Sequence, residues 1–125
     1  MVVGVENGGV FLGGALAPLL GAVFRSVRVQ RGGRHPAVEP LPSLDGKAVL
    51  VVDDITVSGR TLYAACAAVR KAGARERRTA TVVSRSSGER PDYCALETQD
   101  LVVFPWDYQV QIPGPDTGDP GESGV

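Results

Sequence analysis

The chain has 125 residues and a mass of 13.1 kDa, enough for one domain and hardly two. Hydrophobic residues make up 43% and charged residues 22%, an ordinary globular balance that excludes wholesale disorder. The net charge is −1 and the arginines are spread along the chain without a long basic run, so charge makes no case for nucleic acid as a partner.

Val2 to Val5 is a short β-branched run that stops before Gly8-Gly9, as a strand feeding a loop would. Val10 to Ala22 is the expected first helix, with Pro18 removing one backbone donor. It lies in an uncharged stretch, Gly8 to Phe24, that is slightly short for a membrane span and holds five glycines and a proline. A buried helix rich in small residues explains it more cheaply, and the chain is expected to be soluble and cytoplasmic, with no membrane partner. Phe24 to Val29 reads as a second strand. The sixteen residues Gln30 to Asp45 show no periodicity and are expected to be a functional loop.

Ala48 to Val52 is five consecutive apolar residues bounded by Gly46-Lys47 and Asp53-Asp54, the mark of a strand buried on both faces in a parallel sheet. A helix over about Arg60 to Ala72 follows. Its Leu62, Ala65, Cys66 and Val69 share one face, and Gly73 terminates it. Arg78 to Ser84 and Leu101 to Phe104 read as the last two strands. Strand–helix alternation at this spacing predicts an α/β fold: an open, mostly parallel sheet of about five strands flanked by helices. Residues 113–125 hold four Gly, three Pro, three acids and no base, so the domain is expected over 1–112 and a disordered tail after it. Removing those three acids from the 14 leaves 11 against 13 bases, about +2 on the domain.

Cys66 and Cys94 lie far apart in a chain with one histidine, His35, which excludes a zinc site by ligand spacing. No GxGxxG, P-loop or GxSxG frame is present, so dinucleotide, ATP and serine-hydrolase fingerprints fail. Ligands of open parallel sheets collect at the carboxyl ends of the strands, where Glu6-Asn7-Gly8-Gly9, Asp53-Asp54 and Val57 to Thr61 fall. A glycine-containing turn that opens a helix points free N–H groups at an anion, and Ser58 and Thr61 add hydroxyls. Asp53 and Asp54 just upstream would repel a bare phosphate. They suit ribose hydroxyls and a Mg²⁺ that takes substrate oxygens. The pattern is a site for a phosphorylated sugar with a metal.

The fourteen residues Val49 to Leu62 resemble the phosphoribosyl pyrophosphate (PRPP) motif of the type I phosphoribosyltransferases: four apolar residues, two acids, then a Ser/Thr-Gly-x-Thr loop. Val3 to Val10 is similar to the family's pyrophosphate loop. Pro91-Asp92-Tyr93 followed by Phe104-Pro105-Trp106-Asp107 is similar to the end of its xanthine–guanine branch, so the resemblance spans roughly residues 2–108. It implies transfer of ribose 5-phosphate from PRPP to a nucleobase, a 6-oxopurine in that branch, with release of pyrophosphate and with Mg²⁺ as cofactor. It also implies a homo-oligomer. Asp53 and Asp54 would be the catalytic pair holding the ribose and the metal, and Asp107 would lie near the metal. The 5′-phosphate would sit on Val57, Ser58, Gly59, Arg60 and Thr61. Asn7, Gly8 and Gly9 would take the pyrophosphate, with Arg31 assisting, and residues 30–45 would form the loop that closes over the reacting centre. Arg85, Leu101 and Trp106 would meet the base.

Asn7 replaces the usual basic residue of the pyrophosphate loop. Val57 stands where purine-specific members often carry Asp, and Leu101 stands where an aromatic ring is common. The chain starts at the first strand, which predicts a reduced hood over the base. These departures favour the alternative reading, a PRPP- or nucleotide-binding regulatory protein without catalysis.

Overall fold

The structure, a computed structural model, describes residues 1–32, 34–85 and 89–107. The apolar run at Ala48 forms the central strand, and it continues through the acid pair: β5 spans Ala48–Thr56. The remaining elements in chain order are β1 (Val2–Val5), α1 (Gly8–Leu20), β2 (Phe24–Val27), β3 (Val29–Gln30), β4 (Ala37–Val38), α2 (Arg60–Lys71), β6 (Glu76–Ser84) and β7 (Tyr93–Glu97), with a 3₁₀ turn at Pro105–Asp107. The main sheet has the order β2-β1-β5-β6-β7, and every neighbouring pair is parallel. The expected open parallel α/β sheet of five strands is what the chain forms.

The two helices cover opposite faces, because successive residues of a buried strand point to opposite sides. Val3, Val5, Val49 and Val51 pack under Leu62, Ala65 and Val69 of α2, and Val2 and Val52 pack with Ala17 of α1. Each fully buried valine is worth about 1.5–3 kcal/mol. Cys66 sits half-buried beside the first cluster, where burial pushes its thiol up to about 11, so it is an inert packing group.

The α1 stretch is buried along one stripe only, Gly9, Gly13 and Ala17, while Leu19 and Leu20 on its outer side are exposed. Among the described residues no helix is long and apolar enough to cross a membrane. The stripe must be small. A Cβ on Gly9 would lie 2.4 Å from the Val52 carbonyl oxygen, and one on Gly13 would lie 2.5 Å from the Phe24 ring.

Two expectations are corrected. The segment 30–45 is not without structure: Val29–Gln30 pairs antiparallel with Ala37–Val38, and Leu44 is wholly buried, its N–H donating to the Ala72 carbonyl at 2.8 Å. Leu101 to Phe104 is not a strand. Only Phe104 of that run is buried, so its apolar character does not reflect sheet packing. The fifth strand is instead Tyr93–Glu97, at an edge of the sheet, where four of its five residues are exposed. The expected tail, 113–125, lies outside the described residues.

The β6–β7 connection spans only residues 85–92, short for a parallel crossover. Its return is fastened at Asp92. The carboxylate accepts from the Thr79 N–H at 2.8 Å and from its hydroxyl at 3.2 Å, and the Asp92 N–H donates back to that hydroxyl at 2.8 Å. Pairing starts at the next step, Ala80 with Tyr93. Asp92→Ala is expected to cost about 1–2 kcal/mol, read as a lower midpoint in urea with faster amide exchange confined to β7.

Candidate active site

The sheet order reverses between β1 and β5: β1 leads through α1 to β2 on one side, and β5 leads through α2 to β6 on the other. Such a switch point opens a crevice at the carboxyl ends of the strands. A cavity of about 400 Å³ lies there, lined by Asn7 and Gly8 after β1, by Asp53 and Asp54 on β5, and by the whole turn from Ile55 to Thr61. Arg31 and Asp107 also reach it.

Both helices begin at this cavity. Asn7 is the N-cap of α1, without a side-chain cap, and the Glu6–Asn7 peptide is cis. Gly59 is the N-cap of α2 at φ 85°, a left-handed conformation that an L side chain rarely adopts. Neither helix carries an acid in its first turn. The first N–H groups of a helix have no partner within it and lend the end a partial positive charge. Two such ends at one cavity suit a ligand with an anionic group at each end. The Ser58 hydroxyl supports the turn by accepting from the Arg60 N–H at 3.3 Å.

The two acids have different surroundings. Asp53 is 4% exposed. Its Oδ1 accepts from the Asp54 N–H at 2.8 Å, and the Arg31 guanidinium stands 3.9 Å from its Oδ2. Burial, and then the neighbouring Asp54 carboxyl, raise its pKa from 3.8 to about 8, with Arg31 pulling the other way. Asp54 is half-buried and held at both oxygens. Oδ1 accepts from the Ile55 N–H at 2.7 Å and Oδ2 from the Trp106 indole N–H at 3.1 Å. Gly8 lies directly over it, since a Cβ there would fall 1.9 Å from Oδ2. Arg31 comes in from the segment after β3 and donates to the Thr61 hydroxyl at 3.3 Å, bridging the turn and the acid pair.

Asn7, Gly8, Arg31, both acids and Val57 through Thr61 are therefore gathered in one place. Gly9 is not in the cavity; it is buried against β5. Asp107 lines the cavity but does not join the acid pair as a third metal ligand: its Oδ2 accepts from the Phe104 N–H at 3.1 Å, closing the 3₁₀ turn. Among the described residues no three His, Cys, Asp or Glu side chains converge on a metal position. Two carboxylates still fit a Mg²⁺ that keeps its waters and takes other oxygens from a phosphorylated substrate.

None of the three residues expected at the base lines the cavity. Arg85 follows β6, its N–H on the Thr56 carbonyl and its guanidinium on the Asp100 carbonyl at 3.3 Å. Leu101 is 81% exposed. Trp106 stacks against Phe11 and Phe104, with centroids 5.1 and 4.9 Å away and planes within 5°, so its ring is engaged by protein neighbours. Sequence reasoning placed Trp106 near the site but missed its bond to Asp54 and the part played by Phe11. No motif or spacing signals a contact between residues 52 positions apart.

Comparison with known proteins agrees with this geometry. The phosphoribosyl transferase domain family matches residues 1–113. Orotate phosphoribosyltransferase of Sulfolobus acidocaldarius is 32% identical over 88 residues, covering 70% of this chain and 45% of that protein. The bifunctional protein PyrR of Pseudomonas paraeruginosa is 37% identical over 75 residues, covering 50% and 44%. The chain thus spans about half the length of the curated relatives it matches. Among solved structures, purine phosphoribosyltransferase of Pyrococcus horikoshii superposes with a TM-score of 0.77 at 30% identity, over 91% of this chain and 80% of that one.

Proposed function

The chain belongs to the phosphoribosyl transferase domain family, and from that premise we propose that it transfers ribose 5-phosphate from PRPP to a nucleobase and releases pyrophosphate. The observation that carries this reading is the convergence of two helix N-termini and an acid pair on one cavity. PRPP has a phosphate at one end, a pyrophosphate at the other and a diol between them. The turn from Val57 to Thr61 would take the 5′-phosphate, and the α1 end at Asn7 and Gly8 the pyrophosphate. Asp53 and Asp54 would hold the ribose hydroxyls and a Mg²⁺. When bound, that ion supplies positive charge for the departing pyrophosphate.

A ring nitrogen of the base would displace pyrophosphate at C1 through an oxocarbenium-like state. The protein's part is to align the two reactants and to stabilise the leaving group with fixed N–H dipoles. Arg31, linked to both Thr61 and Asp53, would close the phosphate side. For the base we retain a 6-oxopurine, with Arg85 reading its exocyclic oxygen and the exposed Leu101 covering its ring. The similar proteins divide on this point, since orotate and purine enzymes both appear among them.

Incubation with PRPP, Mg²⁺ and each of guanine, xanthine, hypoxanthine, adenine, uracil and orotate tests the reading. Base-dependent release of pyrophosphate is expected, fastest with a 6-oxopurine; turnover with orotate or uracil alone would move the assignment to pyrimidines. A folded protein that does not bind PRPP overturns the proposal. The second reading is a PRPP-binding regulatory protein. It is favoured by Asn7, which brings no charge to the pyrophosphate end, and would show as calorimetric binding of PRPP without nucleotide formation.

A further inference from the structure

We propose that Trp106 is a positioning residue for Asp54: its indole N–H holds the Asp54 carboxylate in the orientation that meets the ribose of PRPP. This inference rests on the functional reading above and deepens it.

Asp54 ends at a cavity edge where a carboxylate has room to turn toward solvent. Three contacts oppose that rotation. The Ile55 N–H holds Oδ1, the indole N–H holds Oδ2, and Gly8 closes the side above. The first is a bond between sequence neighbours and comes with the backbone of β5. The indole bond reaches across 52 positions and exists only because the 3₁₀ turn at Pro105–Asp107 is docked. The docking is aromatic. Trp106 lies parallel to Phe11, in the first turns of α1, and to Phe104, the buried residue just before the turn. Parallel stacking fixes the plane of the indole, and with it the direction of the N–H. A donor to an ionised acceptor gives one of the stronger hydrogen bonds available to a side chain. Phe11 also ties this support to the helix whose N-terminus forms the pyrophosphate end, so Asp54 and the α1 end are held in one frame.

Trp106 is the only tryptophan of the chain, which makes the link observable without any ligand. A ¹⁵N-labelled sample gives a single indole N–H resonance. That resonance is expected to move upfield and to exchange faster with solvent in Asp54→Ala; if it is unchanged, the proposal is overturned. The functional arm is a double-mutant cycle on PRPP affinity, measured with Mg²⁺ by calorimetry. Trp106→Phe keeps the stack and removes the donor, so it is expected to weaken PRPP about tenfold in the wild-type background and less than twofold in Asp54→Ala. An equal loss in both backgrounds, or no loss in the wild-type background, overturns the positioning role. If the wild-type protein fails to bind PRPP while its indole resonance still responds to Asp54→Ala, the functional reading falls and the Trp106–Asp54 link stands.

Discussion

Asp53→Asn is expected to make the ligand-free protein more stable at pH 8 while nearly abolishing its affinity for PRPP. The Asp53 carboxyl is buried on β5 with its pKa raised from 3.8 to about 8. Between those values the unfolded chain has lost this proton and the folded protein keeps it. The folded state then binds more protons than the unfolded one, and stability falls as pH rises from about 4 to about 8, levelling off above that. Asn fills the same volume, still accepts the Asp54 N–H through Oδ1 and never ionises. The gain at pH 8 is expected to be several kcal/mol, a rise in Tm of more than about 10 °C for a domain of this size. Loss of the weak, mostly exposed approach of Arg31 subtracts little from it. At pH 3, below both values, the two proteins are expected to melt together, because Asp53 is then largely protonated in both of its states. PRPP affinity is expected to drop about 100-fold, as a charge-assisted contact to a ribose hydroxyl is lost. Thermal melts at pH 3, 6 and 8 with PRPP calorimetry decide it. A stability difference that does not change with pH would show that Asp53 is ionised in the folded protein. A site that stores destabilisation in this way is characteristic of function rather than of packing.

That contrast between packing and function also marks how much of the molecule was legible in its sequence. The central strand was readable at Ala48 to Val52 because burial on both faces leaves no polar position to obscure it. The second helix was readable at Leu62, Ala65 and Val69 because one face is apolar and the rest is not. Tyr93–Glu97 was missed because an edge strand exposed on most of its length has little reason to be apolar, so hydrophobic pattern carries no trace of it. Leu101 to Phe104 misled for the converse reason: its apolar residues stand largely in solvent. The ribbon of Val29–Gln30 with Ala37–Val38 is too short for any period to show. In the site, the acid pair and the phosphate turn were legible because a single contiguous stretch contains both. The contacts of Asp54 with Trp106 and Gly8 were not, because they are products of sheet register and helix docking. Those depend on the sum of many packing choices rather than on any local motif.

The neighbouring glycines Gly8 and Gly9 separate function from folding within two positions, and their alanine variants are expected to fail in different ways. A Cβ on Gly8 would fall 1.9 Å from Asp54 Oδ2 and 2.2 Å from its Cγ. The obstructing atoms end a side chain, so the strain is relieved by turning the carboxylate away, at the expense of its bonds to Ile55 and Trp106. Gly8→Ala is therefore expected to cost about 1 kcal/mol in stability but to lower PRPP affinity about 100-fold. On Gly9 the added Cβ would fall 2.4 Å from the Val52 carbonyl oxygen and 3.1 Å from the Asp53 Cα. These are backbone atoms of the central strand and have no rotamer to change. Relief requires α1 to lift from the sheet, which opens the contacts of Val2, Ala17 and Val52. Gly9→Ala is expected to cost about 3 kcal/mol and to lower Tm by roughly 15 °C. Its loss of PRPP affinity is expected to track the unfolded fraction and to recover on cooling, whereas the loss in Gly8→Ala persists in the fully folded protein. If both variants melt like the wild-type protein and bind PRPP as it does, α1 does not sit this close to β5, and the cavity between them is not the one from which the function was inferred.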